Sequence, residues 1–258
     1  MTETIENGVG ETRTGTTLIL TMSQPARRNA LSTVICGALA AALDRAESNP
    51  DIRAIVLTGA SGTFSAGGDI SGMDVADLAA GRERFRRTHR MVHAMIQSSK
   101  PLIAAVEGWA AGAGLSLALC CDTVVAAEDA RFMASFGKVG LVADCALLYT
   151  LPQRVGMGRA RQILLYGQPV RASEAERIGL VDQLAAKGGA VAKALEQAEM
   201  VTEIAPLPIA MTKRYLAEGL ESALAFERDT QASLFLTADH REGRDAFLAK
   251  RRPVFRGV

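Results

Sequence analysis

The residues of this chain whose types and spacing could do chemistry are two glycine loops, one isolated carboxylate and a pair of histidines. Ser65-Ala66-Gly67-Gly68-Asp69 and Gly112-Ala113-Gly114 each lie just ahead of a segment with helical periodicity. Glycine lets backbone approach a ligand closely, and the first N–H groups of a helix have no internal partner. Two such N–H groups facing one point make an oxyanion hole, in which each donor is worth roughly 3 to 4 kcal/mol in the transition state. The same loops also serve as tight turns, and neither is a GxGxxG or Walker sequence. Asp144 is the only ionisable group in Leu141-Val-Ala-Asp-Cys-Ala-Leu-Leu. Apolar surroundings raise a carboxyl pKa towards neutrality, which suits proton transfer, while a helix through Leu147 to Leu151 would equally accept Asp144 as its N-cap. His89 and His93 stand one helical turn apart, but neither HExxH nor a third ligand accompanies them, so no metal site is expected. Ser32, Ser65 and Ser116 lack a GxSxG elbow, which argues against a hydrolase triad.

The elements that must position these residues are legible in outline. After a frayed start, Thr17 to Met22 alternates as a strand that ends at Pro25. Leu31, Val34, Ile35, Ala38, Leu39, Ala42, Leu43 and Ala46 hold a 3.6 period up to Asn49-Pro50. Arg53 to Thr58, Pro101 to Glu107 and Thr123 to Ala127 are short apolar runs, the pattern of strands buried on both faces. From about Val75 to Gln97 runs a helix with a basic outer face (Arg82, Arg84, Arg86, Arg87, Arg90) and an inner stripe that includes His89. A short apolar helix is expected at Leu115 to Cys121. Strand, glycine loop and helix recur, which predicts an α/β core with parallel pairing, and right-handed crossovers put both glycine loops on one sheet edge. From Arg171 onward the chain reads as mostly helical, with a boundary near residue 200: a core domain over 1–200 that holds the site and a helical region over 201–258.

Composition narrows the function classes. The 258 residues carry 29 basic and 28 acidic side chains, a formal net charge of +1, so no global field draws the chain to nucleic acid or an anionic membrane. The basic face of the long helix reads as a solvated surface. Cys36, Cys120, Cys121 and Cys145 have no metal spacing and read as reduced core residues. The polar N-terminus lacks an apolar signal core, and no apolar run approaches the ~18 residues that span a bilayer. A soluble, cytoplasmic protein is expected.

Several ordered blocks resemble the enoyl-CoA hydratase/isomerase (crotonase) superfamily from about residue 17 to the end. They include Asn29-Ala30-Leu31, Phe64-Ser-Ala-Gly-Gly-Asp69, Lys100-Pro-Leu-Ile-Ala-Ala-Val106, Gly112-Ala-Gly114, Leu117-Ala-Leu-Cys-Cys-Asp122 and Ala246-Phe-Leu-Ala-Lys-Arg-Arg-Pro253. The resemblance implies a crotonase-like spiral of ββα units with a C-terminal helical region, assembly as a homotrimer or a dimer of trimers, and an acyl-CoA thioester substrate. Coenzyme A would arrive as part of that substrate, with no separate cofactor. By the same resemblance, the N–H groups of Gly68 and Ala113 polarise the thioester carbonyl. Arg28, Ala30, Ala66, Gly67, Asp69, Ile70, Gly112, Gly114, Ser116 and Phe136 are the candidate substrate-binding residues, with Lys250 to Arg252 of a neighbouring subunit as candidates for the phosphates.

The resemblance also separates subfamilies. Hydratases of this superfamily carry two catalytic glutamates where this chain has Ser116 and Phe136. What remains is Asp144, within blocks (Ser135-Phe136-Gly-Lys and Gly140-Leu-Val-Ala-Asp-Cys145) similar to the ring-epoxide isomerase branch of phenylacetate catabolism and related Δ3,Δ2-enoyl-CoA isomerases, which use one acidic residue there. An isomerase is therefore expected ahead of a hydratase with atypical residues. Hydrolytic 4-chlorobenzoyl-CoA dehalogenases match Asp144 and His89 but have Trp at the position of Phe136, and a catalytically silent CoA-binding scaffold is the reading from another class. Where the isomerase branch has Pro-Asp-Cys-Gly-Gly, this chain has Ala143-Asp144-Cys145-Ala146-Leu147, which reshapes the acyl pocket.

Overall fold

The computed structural model describes residues 4–6 and 8–258, with side chains from residue 8 onward. The chain enters through three antiparallel strands, β1 (Thr4–Glu6), β2 (Val9–Thr14) and β3 (Thr17–Met22). The expected frayed start is thus a strand over 9–14: Val9 is buried, and the whole of VGETRT pairs residue for residue with β3. α1 (Thr33–Ser48) begins where the Ser32 side chain accepts a hydrogen bond from the Ile35 amide at 3.3 Å, an N-cap. It returns the chain to β4 (Ala54–Gly59), parallel to β3. α2 (Leu78–Ile96) starts a little later than periodicity alone predicts, because Asp77 caps the Ala80 amide at 2.8 Å.

The next two turns of chain each supply one strand to the main sheet and one to a second, smaller sheet. β5 (Leu102–Val106) is followed by β6 (Trp109–Ala111) and α3 (Ala113–Leu119); β7 (Thr123–Ala127) is followed by β8 (Arg131–Met133) and α4 (Leu147–Tyr166). β9 (Val170–Arg171), α5 (Ala172–Arg177), β10 (Gln183–Ala185) and α6 (Ala190–Thr202) complete the core. The large sheet runs β1-β2-β3-β4-β5-β7-β10, parallel from β3 onward, and the small one β6-β8-β9. Ser65 bridges Ala110 in parallel, so the first glycine loop extends the small sheet by one further strand position. This is the ββα spiral: each turn lays its second strand beside that of the turn before.

Alternation along the central strands shows why they read as continuous apolar runs. Ile55, Leu57, Leu102, Ala104, Val124 and Ala126 face one core with α1 and α3. Ala54, Val56, Ile103, Ala105 and Val125 face the other way, onto Ala190, Ala194 and Ala198 of α6. α6 therefore packs on the sheet and ends at Thr202. Three helices follow: α7 (Pro206–Leu216), α8 (Leu220–Leu234) and α9 (Ala238–Leu248). α8 lies along α2, close enough that a Cβ on Gly81 would come within 2.9 Å of Ala232. Among the described residues no helix is long and apolar enough to cross a membrane. The basic face of α2 is largely paired, with Arg82 on Asp229 and with Arg86 and Arg87 on Glu83.

Candidate active site

The first glycine loop is fastened on two sides. Ser65, fully buried, donates its backbone N–H to the Trp109 carbonyl at 2.9 Å and accepts from the Ala111 N–H at 3.0 Å. On the opposite side, Ala66 N–H donates to Arg28 O, Leu31 N–H to Gly67 O at 2.7 Å and Asp69 N–H to Leu31 O at 3.0 Å. Gly67 makes the change of direction, with a φ of +106° that L side chains rarely adopt. Because Leu31 takes its bonds from residues 67 and 69, the Gly68 N–H points away from that segment, as alternate residues of an extended chain must. Buried Asn29 holds the other flank, donating through Nδ2 to Ala60 O at 2.9 Å and Thr63 O at 2.8 Å.

The second loop meets the first backbone to backbone. A Cβ on Gly67 would lie 2.7 Å from the Ala111 carbonyl and 3.6 Å from the Ala113 nitrogen. Gly112, with a φ of +51°, turns the chain into α3, whose first residue is Ala113. Among the described residues neither the Gly68 nor the Ala113 N–H has a hydrogen-bond acceptor, and both residues line a cavity of about 620 Å³. Free amide hydrogens from two adjoining turns on one cavity wall can receive the oxygen of a carbonyl or enolate.

Asp144 lies on the same cavity. It is buried, and burial, aided by the neighbouring charge of Glu227, pushes its carboxyl up to about 7. Its Oδ2 accepts from Gln231 Nε2 at 3.3 Å, whereas Oδ1 has no hydrogen-bond partner. It does not cap the following helix: Ala146 occupies the N-cap position of α4, and Asp144 contributes only a backbone carbonyl to the Leu147 N–H. The reason is a left-handed turn at Cys145 (φ +51°) and Ala146 (φ +63°), which carries the side chain away from the helix start. An unsatisfied carboxylate oxygen with a near-neutral pKa can take and return a proton.

Two residues missed in the sequence support this loop from α8. Glu227 and Gln231, one turn apart and both fully buried, hold residues 142–146. Glu227 accepts from the amides of Cys145 at 2.8 Å and Ala146 at 2.9 Å, and Gln231 donates to Val142 O at 2.8 Å. Leu220, Leu224, Glu227 and Gln231 follow the helical stripe of a buried face. Polar residues on such a stripe were the available signal.

Of the residues expected at the site, Arg28, Ala30, Ala66, Gly67, Gly68, Asp69, Ile70, Gly112, Ala113, Phe136 and Asp144 line the cavity. Gly114, Ser116 and His89 do not. Gly114 abuts Ser65, whose carbonyl a Cβ there would approach to 2.7 Å, and buried Ser116 donates back to Gly112 O at 3.4 Å inside α3. His89 sits behind the wall, its Nε2 bonded to Glu227 Oε1 at 2.8 Å, and His93 lies 3.4 Å from Glu221. Among the described residues no three His, Cys, Asp or Glu side chains cluster as metal ligands. Phe247 and Leu248 of α9 close the cavity from the C-terminal side. At its mouth Arg27 pairs with Asp69. Burial opposes ionisation of Asp69, but Ser71 and Arg27 outweigh it and hold the carboxyl below its ordinary value. Arg251 is engaged within its own chain by Glu242 at 2.6 Å.

The family model described as enoyl-CoA hydratase/isomerase matches residues 12–258. The chain belongs to the enoyl-CoA hydratase/isomerase family. Among its relatives, the 2,3-dehydroadipyl-CoA hydratase of Escherichia coli (strain K12) is 36% identical over 93% of this chain and 95% of its own length. The 1,2-epoxyphenylacetyl-CoA isomerase of the same organism is 34% identical over 93% of this chain and 95% of its own. The crystal structure of an enoyl-CoA hydratase from Mycobacterium avium subsp. paratuberculosis K-10 superposes with a TM-score of 0.87 at 30% identity, covering 96% of this chain and 98% of that one.

Proposed function

We propose that this chain is an acyl-CoA isomerase that moves a double bond by proton transfer through Asp144. The observation that carries the reading is the cavity's acid inventory: Asp69 is tied to Arg27 and Ser71, which leaves Asp144, among the described residues, as the one carboxylate there with an unpartnered oxygen. On a 3-enoyl thioester, ionised Asp144 removes a proton from C2. The electron pair moves into the thioester carbonyl, the enolate oxygen is held by the Gly68 and Ala113 amides, and Asp144 returns the proton to C4. No water enters and no second acid is needed, consistent with Ser116 and Phe136 at the positions where hydratases of the family carry glutamate. Arg28, Ala30, Ala66, Asp69 and Ile70 are the proposed contacts to coenzyme A. The ring-epoxide substrate of the isomerase relative makes an aryl thioester the second substrate to try.

Asp144→Asn keeps the shape and removes the base. Conversion of 3-enoyl-CoA to 2-enoyl-CoA is expected to fall by about 10²- to 10⁴-fold, with thioester affinity by calorimetry nearly unchanged. Retained turnover overturns the proposal. Because relatives named hydratases accompany the isomerase, 2-enoyl-CoA in ¹⁸O-water is the companion assay, and efficient formation of labelled 3-hydroxyacyl-CoA would favour hydration. The dehalogenase reading is weakened by His89, which is held by Glu227 behind the wall. We further propose self-association as trimers or dimers of trimers, supported by exposed Leu207, Met211 and Tyr215 along α7.

A further inference from the structure

Behind Asp144, three hydrogen-bond donors converge on one buried carboxylate: the amides of Cys145 and Ala146, at 2.8 and 2.9 Å, and His89 Nε2 at 2.8 Å all reach Glu227. Since Glu227 accepts, the proton on that imidazole edge belongs to Nε2. We propose that Glu227 is a positioning residue for Asp144: it locks the left-handed Cys145–Ala146 turn that presents the carboxyl to the cavity, and it stations a second carboxylate behind it. The inference rests on Asp144 being the base. Neither Cys145 nor Ala146 is a glycine, so both occupy the left-handed region against the preference of their own Cβ atoms. A turn of that kind persists only where its surroundings over-determine it. Here each of its two amides is bonded to a separate oxygen of Glu227, and Gln231 holds Val142 on the same loop.

The second effect is electrostatic. A like charge beside a carboxyl disfavours its ionisation. The groups facing Asp144 are Glu227 from α8, Arg84 from α2, Cys36 from α1 and its neighbour Cys145, with His89 reaching Glu227 from α2. Burial disfavours the Asp144 charge most, Glu227 adds to that, and Arg84 favours the charge.

The test is the titration of Asp144 itself, read by ¹³C NMR of the aspartate carboxyls in the full-length, substrate-free protein and assigned with D144N. In Glu227→Gln the Asp144 midpoint is expected to fall by about one pH unit or more. In His89→Gln, where the Glu227 charge stays and one of its donors is weakened, the midpoint is expected above that of the unsubstituted protein. A purely structural Glu227 predicts an unmoved midpoint in E227Q, and that result overturns the proposal. So does an equal fall in H89Q, which would assign the effect to loosened packing. If E227Q does not fold, H89Q decides alone: a midpoint above that of the unsubstituted protein supports the proposal, and an unmoved or lower one overturns it. The readout needs no turnover. A shifted midpoint without isomerisation sinks the isomerase reading and leaves the Glu227 assignment standing; isomerisation with an unmoved midpoint does the reverse.

Discussion

A carboxyl that titrates near 7 is mostly ionised above that pH and loses its ionised fraction about tenfold per unit below it, and a base must be ionised to work. For 3-enoyl thioesters, kcat/KM is therefore expected to fall about tenfold for each unit below about 7. A flat profile down to pH 5 would remove Asp144 from the proton-transfer step. The same shift has a consequence for stability with a definite sign. An aspartate with an ordinary value of 3.8 and a folded value of about 7 binds its proton more tightly in the native chain, so folding loses stability as pH rises between those values. Asp144→Asn resembles the protonated form at every pH. Its melting temperature should exceed that of the unsubstituted protein at pH 8, and the advantage should vanish near pH 4; an Asn variant equal or less stable at pH 8 contradicts the burial argument. Asp144 and the two glycine loops were legible because each stands out locally, as a charge in an apolar run or as small residues before a helix, whereas the choice of Gly68 and Ala113 within the loops came from the family resemblance. Glu227 was not, because its partners are 81 to 138 residues away and only the packing of α8 on α2 and the Asp144 loop brings them together.

The glycine loops matter at the scale of elements, since they decide how closely successive turns of the spiral stack. Gly67→Ala would drive a methyl to 2.7 Å from the Ala111 carbonyl at a φ of +106°. Urea denaturation is expected to register a loss of about 1–3 kcal/mol from the backbone conformation, with further loss from separation of the loops. Gly37 is the contrast: it lies exposed within α1, at an ordinary φ, with nothing within 4 Å of an added Cβ. Gly37→Ala should stabilise by up to about 1 kcal/mol, and a drop in the urea midpoint would show that this face of α1 is not free. Legibility followed length and patterning. β4, β5 and β7 show as apolar runs and α1 as a long 3.6 period, but β6, β8, β9 and β10 have two or three residues each, too few for any period. β2 was missed because most of its side chains face solvent or are half-buried, so its place in the sheet rests on backbone pairing with β3.

For the whole molecule, the net charge of +1 leaves recognition of an anionic ligand to placed side chains, and Arg27, Arg28 and Lys138 stand on the cavity wall. The outer surface carries apolar side chains of a different kind. Leu207, Met211 and Tyr215 recur every fourth residue along α7, each about 70% exposed, with Leu216 beside them. Surface of that character is what supports the proposed self-association. On the proposed self-association through this face, Met211→Glu with Tyr215→Glu is expected to lower the mass measured by sedimentation towards that of the monomer. An assembly unchanged by the two substitutions would move the proposed interface to other exposed apolar residues such as Met157, Leu165 and Tyr166, and a monomeric unsubstituted protein would overturn it.

The cavity is bounded by Ala26 to Arg28 near one end of the chain and by Phe247 and Leu248 near the other. Synthesis delivers these walls far apart in time: a nascent chain has its glycine loops and Asp144 well before α8 and α9 emerge. Until α8 docks, the turn at Cys145 and Ala146 lacks the Glu227 bonds to its two amides, and until α9 docks the pocket lacks its Phe247 and Leu248 wall. Contacts of such long sequence separation form late in folding. In refolding from urea, thioester binding should therefore appear with the slowest phase, after the parallel strands have paired. A ligand present throughout would then act chiefly by slowing unfolding, not by speeding folding.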